Sequence, residues 1–165
     1  MFGFPSFLLS LLVVAIIGVG LWNVVFAVGL ASIPHFARII RSAALQVKEQ
    51  PYIEAGINLG FGNLRIMFGH ILPNIFPIII VIATMDLGGA IISIASLSFL
   101  GLGAQPPEPE WGAMLSSGRE YMRYAPWTMI YPGLFLFLTV MSVNLLGDRL
   151  SQALDARQSI NRGKA

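Results

Sequence analysis

Cysteine is absent from the chain, and lysine and histidine occur twice each. Without cysteine there is no disulfide, no thiolate metal site and no cysteine nucleophile, although the redox compartment stays open. Neither lysine lies in a phosphate-cradling loop of the form G-x-x-x-x-G-K-[ST]. Lys48 follows Val47, and Lys164 follows Gly163 but precedes Ala165. The dinucleotide pattern G-x-G-x-x-G also fails, since Gly60-x-Gly62 meets Arg65 and Gly101-x-Gly103 meets Pro106. ATP hydrolysis is therefore not encoded in these residues. His35 and His70 have neither cysteine nor a carboxylate pair nearby, so no metal site is predicted. Nor does any histidine or acid fall at a depth suited to activating the serines that follow Asp86, and no catalytic triad is expected. The chain is not expected to be an enzyme or to hold a cofactor of its own.

Charge is scarce as well, at 11% of 165 residues, with a formal net charge of +2. No charged residue lies from Met1 to Ala37 or from Tyr124 to Gly147, and Asp86 is alone between Ile71 and Pro107. A basic stripe interleaved with aromatics is missing, so nucleic acid is not an expected partner. What fills the gaps is apolar: 56% of the residues are hydrophobic, with a mean hydropathy of +0.76. A water-soluble core of this size could not enclose that many apolar side chains, and membrane lipid is the natural solvent. About 20 helical residues cross a hydrocarbon layer of roughly 30 Å. An all-α, polytopic transmembrane bundle of about four spans is predicted, in one domain over residues 1–165. The spans are placed at about 4–20, 22–41, 74–101 and 126–147, with a turn at "GVGLWN". The N-terminus has no basic region ahead of its apolar run, so a cleaved signal peptide is not expected.

Basic residues set the orientation. Arg38, Arg41, Lys48 and Arg65 lie between the second and third spans, and Arg149, Arg157, Arg162 and Lys164 follow the fourth. Arg119 and Arg123 alone occupy the opposite side, so both termini are expected in the cytoplasm. The external loop, about 102–125, begins with a proline-rich turn. From Glu110, the positions Trp111, Met114, Leu115 and Met122 fit a short amphipathic helix that is either a solvated cap or a gate.

The cytoplasmic loop, about 42–73, contains "EAGINLGFGNLRIMFGHILP". Pro51 and Glu54 suit a helix start, Gly60 a left-handed stop, and Asn63 a new N-cap for a second short helix to about Ile71. Pro73 and Asn74 then mark the return into the membrane. Tyr52, Ala55, Gly56 and Leu59 share one face, whose small residues permit close approach of another backbone. The loop either packs on its own bundle or docks a separate cytoplasmic partner. Within the third span, an ionised Asp86 would cost on the order of 2.5–3.5 kcal/mol on insertion scales. It is either a neutral, hydrogen-bonded residue or part of a substrate pathway. "GDRLSQALD", from Gly147, leaves the membrane and serves either as an interfacial anchor or as a partner contact.

Glu54-Ala55-Gly56, Gly60 and Leu72-Pro73 together resemble the EAA motif of ATP-binding-cassette (ABC) importer permeases. Gly56 replaces the usual second alanine, and His70 replaces the usual isoleucine. "HILPN", "SLSFLGLGAQPPEPEWGAML" (Ser96 to Leu115) and "NLLGDRLSQALDAR" (Asn144 to Arg157) are similar to the dipeptide, oligopeptide and nickel branch. The resemblance covers nearly the whole chain and points to a C-type permease subunit with a type I fold. It implies that the chain starts at the third of the six spans usual for this branch. It implies a coupling helix formed by Glu54, Ala55, Gly56, Leu59 and Gly60. The implied partners are a second permease subunit, ATPase subunits that use ATP and magnesium, and an extracytoplasmic solute-binding protein. The implied location is the plasma (inner) membrane of a bacterium or archaeon, and the implied cargo is a peptide or nickel. A truncated, non-transporting remnant of such a permease is the alternative.

Overall fold

The structure, a computed structural model, describes residues 5–162, with side-chain surroundings given through Leu154. The start of the first expected span at residue 4 and the side chains of Arg157, Arg162 and Lys164 lie outside the described residues. Among the described residues seven α-helices follow in order: α1 Ser6–Ile17, α2 Leu21–Lys48, α3 Pro51–Asn58, α4 Asn63–Ile66, α5 Leu72–Phe99, α6 Trp111–Gly118 and α7 Trp127–Arg162. A π-helical segment, Met67–Ile71, joins α4 to α5, and a 3₁₀ turn, Arg119–Tyr121, follows α6. The fold is all-α, with no strand among the described residues.

Among the described residues, three stretches are long and apolar enough to cross a bilayer: Leu21–Lys48, Asn63–Phe99 and Trp127–Leu154. Where four spans were expected, the first differs. Helix α1 has 12 residues and stops at Gly18, whose φ of 103° breaks the helical path. At 1.5 Å per residue it is about 18 Å long, against roughly 30 Å of hydrocarbon. Helix α2 runs on to Lys48 rather than ending near residue 41, because no breaker intervenes before Pro51. Lys48, in its last turn, complements the negative end of the helix dipole.

The second short helix also differs from expectation. Asn63 is the first helical residue rather than the cap, and Gly62 takes the N-cap position. The chain does not break at Pro73. The helix widens into the π segment just before it, where the Leu72 N–H donates to Met67 O. A wider turn accommodates the proline, which has no N–H to give to the preceding turn. Asn74 Nδ2 donates to His70 O at 2.7 Å, adding a partner for that carbonyl. Asn63–Phe99 is thus one continuous apolar stretch.

The chain divides into two compact units: Met1–Ile33 with Asp86–Leu145, and Pro34–Met85 with Leu146–Ala165. In the first, Val14, Val24, Ala27, Val28 and Leu97 form the buried core, with Phe7, Leu11 and Ile94 packed against it. Glu110 caps α6, its carboxylate accepting from Ala113 N–H at 2.8 Å. A Cβ on Gly112 would strike the Ala95 carbonyl, with the carbonyl carbon 2.7 Å and Ala95 Cα 2.8 Å from it. Helix α6 is therefore held against α5 at Gly112, while Met114 is exposed. In the second unit, Ala43, Ile53, Ile66 and Ile75 are buried. Large apolar side chains such as Phe76, Phe135 and Phe137 face outward. In lipid this carries no penalty, and close contact between helices falls instead to small residues and van der Waals packing.

Candidate functional site

Helix α3 is built from its ends inward. Pro51 stands at its first position and Glu54 in its first turn, the two features read from the sequence. Its carboxyl end forms a Schellman motif. Gly60, at φ +79°, donates to Ile57 O at 2.9 Å, and the Phe61 N–H donates to Gly56 O at 3.1 Å. An L-residue with a side chain would be strained at that φ, so glycine is required there.

The same motif folds Phe61 back over the helix. A Cβ on Gly56 would lie 3.3 Å from Phe61 Cδ2, so the ring rests directly on the glycine. The ring is itself engaged. Arg65 Cζ lies 4.3 Å from its centroid, and His70 stacks on it at 6.0 Å with the planes 10° apart. An exposed cation–π contact contributes about 0.5–1 kcal/mol. This accounts for His70 as an aromatic partner, and no group of three potential metal ligands occurs among the described residues.

The five residues expected to act together therefore divide. Gly56 is buried beneath Phe61, and Ile53, at 1% exposure, roots the helix from below. Glu54, Ala55, Leu59 and Gly60 remain exposed, with Leu59 at 75%. Tyr52 and Ile57 are exposed beside them. Gly56 thus receives an aromatic ring from its own chain where close approach by another backbone was expected. Sequence reasoning missed Phe61 and Arg65. The signal was present, since an apolar residue just after a C-terminal glycine is the usual closing contact of this motif.

Asp86 lies within α5, half-buried, with its Oδ2 atom enclosed by protein. Two residues on, Gly88 lies against the Asn144 side chain, whose Cγ would be 3.2 Å from an added Cβ. The glycine in "DLGG" thus lets α5 approach α7 at a polar residue, and Asn144 was not singled out from the sequence.

Three long apolar helices and a short, self-supported helix bearing exposed polar and apolar residues define a multi-pass membrane component with a built surface outside its spans. The chain belongs to the family of binding-protein-dependent transport system inner membrane components, which matches residues 1–160. It is 50% identical over 157 residues to the glutathione transport system permease protein GsiD of Escherichia coli O1:K1 / APEC. The same identity and length hold for the GsiD proteins of Shigella flexneri serotype 5b and Salmonella typhimurium strain LT2. Each alignment covers 95% of this chain and 52% of the relative, so the chain spans about half the length of the curated relatives it matches. Membership places it among ABC permease membrane components, which are not themselves enzymes.

Proposed function

We propose that the chain forms the transport path of a binding-protein-dependent importer of small peptides and that α3 is its coupling helix. The observation that carries this reading is the construction of α3. Ile53 and the Phe61–Gly56 contact fix it to its own chain, yet Glu54, Ala55 and Leu59 stay exposed. A lever needs that combination, since a loop that only packed on its own bundle would cover Leu59.

In this reading an ATPase partner, using ATP and magnesium, closes on nucleotide and pushes on α3. Rocking of the permease helices then alternates access to a central path. A second permease subunit completes the path, and a solute-binding protein delivers the cargo on the opposite side. The glutathione permease relatives favour a peptide over nickel. Asp86 would lie on the path, where a carboxylate suits the amino terminus of a peptide. Both termini would be cytoplasmic, since the basic residues concentrate on that side.

The test is the doubly substituted helix, Glu54→Lys with Leu59→Asp, in the full transporter reconstituted in liposomes. Substrate-stimulated ATP hydrolysis and ATPase retention should both fall by at least about tenfold, as removal of a central interface anchor does. Retained coupling with normal ATPase capture would refute the assignment of α3.

A further inference from the structure

The turn between α1 and α2 and the loop after α5 meet within one unit, where the Gly20 N–H donates to Leu102 O at 3.0 Å. Beside this seam lies a pocket of about 420 Å³, walled by Trp22, Asn23, Gln105, Pro106, Pro107 and Glu108. Its polar side chains are sorted in an unusual way. Asn23 Nδ2 donates to Gly18 O at 3.1 Å and to Val19 O at 3.3 Å. Gln105 Nε2 donates to Gly101 O and Gly103 O, each at 3.1 Å. Neither amide can be reversed, because its oxygen would then face two carbonyl oxygens.

Both amides therefore spend their donors on the backbone of their own turns. Their oxygens are left as acceptors, and the Glu108 carboxylate adds a third acceptor with a full negative charge. Pro106 and Pro107 have no N–H to offer. Trp22, 79% exposed, adds an aromatic ring of the kind that attracts cations. One term opposes a cation: α2 begins at Leu21, and a helix amino terminus carries about half a positive charge. The full charge of Glu108 exceeds it.

We infer that this pocket binds a primary ammonium group, carried by a small amine solute or by the ethanolamine headgroup of a lipid. An ammonium has three donors and no acceptor, which suits a pocket lined by three side chains with an acceptor oxygen to spare and by an aromatic residue. The inference does not depend on the coupling role of α3, because no residue of that helix contributes to the pocket.

The experiment uses the full protein in phosphatidylcholine nanodiscs, a lipid whose quaternary ammonium has no N–H. Propylammonium is titrated by saturation-transfer NMR, with 1-propanol as the neutral match and tetramethylammonium as the donor-free cation. Saturable binding of propylammonium alone is expected, weakened about tenfold by Glu108→Gln through loss of charge-assisted hydrogen bonds. Trp22→Ala should weaken it as well. Equal binding of 1-propanol, or binding unchanged in both variants, would overturn the inference. Repeating the titration with phosphatidylethanolamine in the disc separates the two sources. Loss of the propylammonium signal identifies the headgroup as occupant, and an unchanged signal identifies a solute. Should Glu108→Gln weaken capture of a solute-binding protein while leaving amine binding intact, the pocket is a protein contact and the inference fails.

Discussion

At the scale of single residues, the glycines beyond α3 separate two kinds of constraint. Gly60 is set by backbone conformation at φ +79°, whereas Gly62 has a negative φ and open space around it. Gly60→Ala should cost about 1–2 kcal/mol from left-handed strain, whereas Gly62→Ala should be close to neutral. Thermal unfolding of the two variants in detergent checks the contrast. Ser98 presents the reverse case. It is 1% exposed, and its Oγ has no hydrogen-bond partner among the described residues. Ser98→Ala removes an unsatisfied hydroxyl and should leave stability unchanged or raise it by about 1 kcal/mol. For Asp86, transport by Asp86→Asn in proteoliposomes is the relevant reading. Uptake of peptides with a free amino terminus should drop while assembly stays normal, and a rate unchanged across cationic substrates would remove Asp86 from the path.

At the scale of elements, α3 owes its position to a neighbour outside it. Phe61 lies beyond the helix, yet its ring covers Gly56 and meets both Arg65 and His70. Phe61→Ala should loosen α3 without altering its exposed face. Amide hydrogen exchange in Ile53–Leu59 should rise, and coupling should weaken less than with the Glu54→Lys and Leu59→Asp change. Helix α6 shows the same dependence on a close approach. Its face was read from Trp111, Met114, Leu115 and Met122, but its close contacts are made by glycines, Gly112 on the Ala95 backbone and Gly118 on Thr128 and Met129. Gly112→Ala should cost about 1–3 kcal/mol by overpacking, seen as a lower unfolding temperature.

For the whole chain, the lack of cysteine makes these residues a background for single-cysteine labelling. If the basic residues orient the protein as proposed, Gln50→Cys should react with a membrane-impermeant maleimide only after the membrane is opened. Pro109→Cys should react in intact cells. Equal labelling of both from outside would contradict the orientation. The spans themselves were largely legible, because lipid solvation demands long apolar runs whatever packs against them. Their ends were less so. Nothing in "FGHILPN" says that a helix will pass through Pro73, since that depends on a widened turn in the backbone before it.

The sequence by itself determined that the chain is helical, that it belongs in a bilayer and which permease family its motifs resemble. Those properties follow from composition, run length and motif spacing, each of which is local. Tertiary structure decided which of the marked residues stay available. Gly56 and Leu59 looked equivalent on a helical wheel, yet the ring of Phe61 covers one and leaves the other exposed. It also decided that Asn23 and Gln105, far apart in the chain, line one pocket while their amide N–H groups donate to the backbone of their own turns. Contact and hydrogen-bond direction depend on where the chain returns in space, and no local pattern carries that information.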